Sequence, residues 1–167
     1  VLYIPAFQQQ QVVWELSLSA FVFAILFVIA GFTDYLDGLV ARKTNTITVF
    51  GQFLDPIADK ALVLTAMSYL VFLNIMPVWM IVLVLVREFT VSGLRLIAVQ
   101  EGHVISASNL GKIKTAWTMF TLTFLLFNGY VWHAVIAQIF LWLLVLITLA
   151  SGLEYVIKYR KIILKNK

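Results

Sequence analysis

Long apolar runs dominate this chain, and polar residues gather in the short intervals between them. Apolar stretches at roughly 13–33, 56–74, 77–99, 109–128 and 131–156 each approach the ~20 residues that a helix needs to cross bilayer hydrocarbon. The pattern predicts five membrane-spanning helices with brief connections at about Lys43–Val49, Asn74–Pro77, Glu101–Ser108 and Asn128–Tyr130. Two runs are interrupted: the third carries Arg87, Glu88 and Arg95, and the second is uncharged only from Ala61 to Leu73. Charges of this kind are costly against lipid, so they belong at an interface or along a polar cavity. No basic segment precedes VLYIPAF, so it does not read as a signal peptide. It reads as the tail of a further span, with six spans expected in the intact protein. The Gln8–Gln11 run is expected in an exterior loop. The fold expectation is therefore all-α, a polytopic membrane helix bundle forming a single domain over residues 1–167.

Composition supports the membrane reading. Of 167 residues, 62% are hydrophobic and 12% charged, far from the balance of a soluble domain. If the helices alternate in direction, all twelve Lys and Arg residues, from Arg42 to Lys167, fall at or near one face. By the positive-inside rule that face is cytoplasmic. Trp14, Trp79 and Trp132 fall at the other end, where an aromatic belt would sit. The net charge of +4 suits an anionic inner leaflet and requires no nucleic acid. With no cysteine there is neither a disulfide framework nor a thiolate metal site. His103 and His133 read as solvated or interfacial, and Lys158–Lys167 as a juxtamembrane anchor.

Against this background, TDYLDGLVARKTNTITVFGQFLDPIADK holds four of the eight acidic residues. On a helix turning ~100° per residue, Asp34, Asp37, Gly38 and Ala41 lie within about 100° of one another. Gly51, Asp55 and Asp59 repeat the arrangement at i, i+4 and i+8 on the next helix, with Pro56 expected in its first turn. Packed together, these faces would gather four carboxylates that raise one another's pKa unless cations neutralise them. Oxygen ligands without Cys favour Mg²⁺, Mn²⁺ or Ca²⁺ over Zn²⁺. Two such ions form an apparatus suited to displacement at phosphorus. Isolated aspartates at helix ends are usually caps; four at these spacings argue for a site.

The spacing Asp34-x₂-Asp37-Gly38-x₂-Ala41-Arg42-x₈-Gly51-x₃-Asp55-x₃-Asp59 resembles the signature of the CDP-alcohol phosphotransferases at all its defined positions. The resemblance implies a membrane enzyme, typically a six-helix homodimer, that transfers a phosphoalcohol group from a CDP-linked donor to an acceptor alcohol and releases CMP. It implies two divalent cations, Mg²⁺ or Mn²⁺, on Asp34, Asp37, Asp55 and Asp59, with Asp59 also the general base. It further implies a CDP site built from Asp34, Asp37, Gly38, Ala41, Arg42 and Gly51.

Residues 86–115, VREFTVSGLRLIAVQEGHVISASNLGKIKT, resemble the branch of that family that makes phosphatidylglycerol phosphate. The similarity extends over roughly residues 30–127. Its implied partners are CDP-diacylglycerol, sn-glycerol 3-phosphate and membrane lipid, and its implied setting is the bacterial inner membrane. Arg87 and Arg95, at i and i+8, lie about 80° apart and ~12 Å along a helix, so both can face one cavity. Lys112 and Lys114 diverge by about 200°, so one is expected at the site and the other reaching it by its stem or snorkelling to the surface. Together Arg87, Arg95, Lys112 and Lys114 suit an acceptor that carries its own phosphate. Glu88 is expected to pair with Arg95 or another base. Two rival readings share the aspartates: a relative using phosphatidylglycerol or inositol phosphate as acceptor, and a cation channel or transporter. The latter leaves Gly38, Ala41 and Gly51 unexplained.

Overall fold

The computed structural model describes residues 11–13, 16–44, 49–100 and 108–164. At Asp34, Gly38, Ala41, Arg42, Gly51 and Asp55 only the helix backbone is described. The elements in order are strands β1 (Gln11–Val13) and β2 (Leu16–Ser17), then helices α1 (Leu18–Thr44), α2 (Val49–Phe72), α3 (Val78–Gln100), α4 (Asn109–Leu126), α5 (Gly129–Trp132) and α6 (Ala134–Leu164). Five long helices coincide with the five predicted spans. VLYIPAF, Gln8–Gln10, Trp14 and His103 lie outside the described residues.

Three boundaries differ from the apolar pattern. The first span was expected from residue 13, but β1 and β2 pair antiparallel there, Gln11 opposite Ser17 and Val13 opposite Leu16. Glu15 and Ser17 break the apolar run in QVVWELS, and an alternating, β-branched segment suits a strand better than a helix. Next, α2 begins at Val49, which puts Pro56 in the helix interior instead of its first turn. Proline supplies no N–H to the carbonyl four residues earlier, so that turn of α2 lacks one backbone bond. Finally, the run 131–156 is broken at His133, whose extended φ of −144° separates the single turn α5 from α6.

The turns have identifiable causes. Asn74 and Asn128 adopt left-handed φ values of 58° and 67°, a conformation that asparagine tolerates better than most residues. Pro77 follows the first of these and cannot extend α2. At the other end of the bundle Ser108 caps α4, its hydroxyl accepting from the Gly111 N–H at 3.0 Å.

α4 is the central helix, packed against α1, α2 and α6, while α6 also closes against α3. The apolar core takes Ala24 and Phe27 from α1, Met67 and Leu70 from α2, Met80 and Val84 from α3, Leu122 and Leu125 from α4, and Leu141 and Leu144 from α6. The faces of α6 show how a membrane helix is divided. Its inner stripe runs Ala137, Leu141, Leu144, Thr148, Ser151, Tyr155, all buried, apolar at first and polar at the end. Its outer stripe runs Val135, Ile139, Trp142, Leu146, Leu149, Leu153, Ile157, all exposed and all apolar. An outward face of this kind has no water-facing explanation and fits hydrocarbon.

Ala134–Tyr159 is long and apolar enough to cross a membrane by itself, and Ala20–Thr33 is a shorter apolar stretch. On α3 and α4, Arg87, Glu88 and Arg95 are half-buried and Lys114 is buried. At 31 residues α6 is ~46 Å long, more than the ~30 Å of hydrocarbon, and its excess ends in the basic run Lys158–Lys161. The chain is an all-α membrane bundle.

Candidate active site

A set of hydrogen bonds links the middle and second half of α3, the start of α4, the second half of α6 and the middle of α2. Lys60 Nζ of α2 donates to Ser92 Oγ of α3 at 2.8 Å. Arg87 of α3 donates through Nε to Ser151 Oγ of α6 at 3.0 Å, with Nη2 directed to the same oxygen. Arg95 Nη2 donates to the Tyr155 hydroxyl at 2.8 Å, and the Ser108 backbone N–H donates to the same oxygen at 3.0 Å. Charged and polar groups from four helices thus meet at one end of the bundle, as the alternating-direction argument required.

Glu88 is the acidic centre of this network. Its Oε1 accepts from Arg87 Nη1 at 2.9 Å and from Lys114 Nζ at 2.5 Å. The sequence offered Arg95 or another base as its partner; the two bases are Arg87 and Lys114. Lys114 is 6% exposed, and a buried ammonium needs such a partner to offset lost hydration. Lys112 is exposed, so the angular divergence of the two lysines is realised as the sequence implied.

The predicted acceptor residues separate into two adjoining groups. An open-mouthed cavity lies between α2, α3 and α4, and its polar lining is Asp59, Lys60, Glu88, Lys114, Thr115 and Thr118. Its other wall is apolar, with Val63, Leu64, Val84, Leu85 and Phe89. Arg87 and Arg95 are not in that lining; both turn to α6, where their guanidinium carbons lie 5.9 and 5.5 Å from the centre of the Tyr155 ring. They share one face of α3, as their spacing implied. Glu88 joins the two groups, since one of its oxygens holds a cation from each.

A glycine makes room for Arg87: a Cβ on Gly152 would stand 3.2 Å from Arg87 Cγ. Arg95 Nε is buried and has no hydrogen-bond partner among the described residues, an open donor beside an aromatic face.

Of the aspartates, Asp59 lines the cavity and Asp37 is exposed. Asp34, Asp37, Gly38, Ala41 and Arg42 lie on continuous helix in α1, and Gly51, Asp55 and Asp59 on continuous helix in α2. The two helices pack against each other. The side chains of Asp34, Arg42 and Asp55 lie outside the described residues. Among the described residues no three His, Asp or Glu side chains form a metal-binding group. The helical register assumed for the four carboxylates is therefore present in the backbone, and their oxygen chemistry fits hard divalent cations.

Three contributors escaped the sequence reading: Ser92, Ser151 and Tyr155. For Ser151 and Tyr155 the signal was faint, since SGLEY at 151–155 is a polar interruption of the last span, while Ser92 stands in the SGLR segment at 92–95.

Residues 4–150 match the CDP-alcohol phosphatidyltransferase family, and the chain belongs to that enzyme family. Among its relatives, the CDP-diacylglycerol–glycerol-3-phosphate 3-phosphatidyltransferase of Bacillus subtilis (strain 168) is 45% identical over 135 residues, covering 79% of this chain and 70% of the relative. The enzyme of the same name from Rickettsia felis is 36% identical over 143 residues, covering 83% and 79%. Another from Shigella flexneri is 34% identical, covering 82% of this chain and 78% of the relative.

Proposed function

We propose that this membrane enzyme transfers the phosphatidyl group of CDP-diacylglycerol to sn-glycerol 3-phosphate, giving phosphatidylglycerol phosphate and CMP. The observation that carries the reading is the convergence of Asp59 and Lys114 on one cavity, with Arg87 tied to its edge through Glu88 and Arg95 beside Arg87 on the Tyr155 ring. A neutral acceptor would not need three cations buried or half-buried at this point. The names borne by the relatives support the same choice.

The Asp59 carboxylate would take the proton from the acceptor's primary hydroxyl. That oxygen attacks the phosphorus bonded to diacylglycerol, and the bond from this phosphorus to CMP breaks. Two divalent cations, Mg²⁺ or Mn²⁺, held by Asp34, Asp37, Asp55 and Asp59 would neutralise the diphosphate and the departing CMP. Gly38 and Ala41 would leave room for the cytidine, Gly51 would belong to the same site, and Arg42 would contact the donor's phosphates. Arg87, Arg95 and Lys114 hold the acceptor phosphate, with exposed Lys112 drawing the anion toward the mouth. The apolar wall of Val63, Leu64, Leu85 and Phe89 suits the acyl-bearing part of the donor. Most of the catalysis in this scheme is positioning and electrostatics.

The enzyme would work as a homodimer in the bacterial inner membrane with its charged end toward the cytoplasm. The acceptor assignment is tested by offering purified protein CDP-diacylglycerol with glycerol 3-phosphate, phosphatidylglycerol or inositol phosphate in turn. Product should form with glycerol 3-phosphate; preference for either substitute would overturn the assignment.

A further inference from the structure

We propose that Tyr155, on the last helix, is a positioning residue that builds the binding site for the acceptor's phosphate by fixing Arg95 and Arg87. The proposal rests on the acceptor reading above and names the residue that organises it.

Three observations converge on this side chain. Its hydroxyl accepts from Arg95 Nη2 at 2.8 Å and from the Ser108 N–H at 3.0 Å, so one oxygen locks a guanidinium to the start of α4. Its ring lies within 6 Å of both guanidinium carbons, the range in which a cation is drawn to an aromatic face. The ring is 1% exposed, so it cannot swing away without opening the packing of α6 on α3.

The arrangement leaves an anion-shaped deficit. Two guanidinium groups gathered on one ring repel each other, and of the two Glu88 bonds Arg87, its other partner being Lys114. Arg95 spends one nitrogen on Tyr155 and keeps Nε buried without a partner among the described residues. A phosphate held by the two guanidinium groups would relieve that repulsion. Ser151, one turn earlier on α6, plays the matching part for Arg87. The last helix thus contributes the frame of the anion site through Ser151 and Tyr155.

Tyr155→Phe removes the oxygen and keeps the ring. In full-length protein purified in detergent, binding of glycerol 3-phosphate and of inorganic phosphate is measured by calorimetry, alongside both KM values and the melting temperature. Tyr155→Phe should weaken both anions roughly tenfold, the loss of one hydrogen bond to a charged group. KM for glycerol 3-phosphate should rise in step, while KM for CDP-diacylglycerol stays at its wild-type value and the melting temperature falls only modestly, because the Ser108 N–H and one Arg95 N–H lose their acceptor. Unchanged anion binding in Tyr155→Phe, a wild type that binds neither anion, or a lowered melting temperature with equal loss of both substrates would overturn the proposal. The proposed function fails separately: a wild type that binds phosphate through Tyr155 yet releases no CMP with glycerol 3-phosphate refutes the acceptor and leaves the anion site standing.

Discussion

At the residue scale, the two halves of the site make different demands on their side chains. Asp59 faces the cavity and is assigned the proton transfer, so Asp59→Asn should lower kcat by about 10²–10⁴-fold, the usual contribution of a general base. Binding of CDP-diacylglycerol should survive. Arg95→Ala should instead raise KM for glycerol 3-phosphate by about 10- to 100-fold with a smaller change in kcat, as expected when a charged hydrogen bond to substrate is lost. Steady-state kinetics on both variants check the division, and an unchanged acceptor KM in Arg95→Ala would misplace the pocket. The shared face of Arg87 and Arg95 and the divergence of Lys112 from Lys114 were legible because both follow from helical angle alone. Tyr155 and Ser151 were not, because their partners lie 60 and 64 residues away and no periodicity encodes such a pairing.

At the element scale, α3 and α4 are joined by the Glu88–Lys114 pair across 26 residues of sequence. Removing the carboxylate leaves Lys114, 7% exposed at its side chain, without its counter-charge. Glu88→Ala should therefore cost about 3 kcal/mol of stability, read as a lowered melting temperature in detergent. Adding Lys114→Met should restore most of it, and a single variant that melts like wild type would show that the pair contributes little to helix packing. The long helices were legible as elements from apolar length. Their ends were less so, since length does not reveal that QVVWELS pairs with itself, that α2 tolerates Pro56 in its interior, or that the chain breaks at His133. Each of these depends on local backbone chemistry working against the apolar pattern. The start of α4 was an exception, because Ser108 stands just before the apolar run and caps it.

At the scale of the whole molecule, alternating helices put polar and charged groups from α2, α3, α4 and α6 at one end and the Asn74 and Asn128 turns at the other. This polarity was readable from the positions of the basic residues. It makes topology testable in a chain that lacks cysteine. Asn109→Cys and His133→Cys, both at exposed positions, should react with a membrane-impermeant maleimide from opposite sides of the bilayer, Asn109→Cys from the cytoplasmic side. Labelling of both from one side would contradict the arrangement. In the proposed function the four aspartates would tie this end to chemistry, and the helices that carry them are α1 and α2.

The central claim is that the charged end performs metal-assisted transfer to a phosphorylated acceptor. It is tested most directly by CMP release from CDP-diacylglycerol by the purified protein, with and without glycerol 3-phosphate and with and without a chelator of divalent cations. The account predicts release that requires glycerol 3-phosphate, stops on chelation and returns when Mg²⁺ or Mn²⁺ is restored. Release that persists through chelation, or that proceeds equally well without glycerol 3-phosphate, would contradict it.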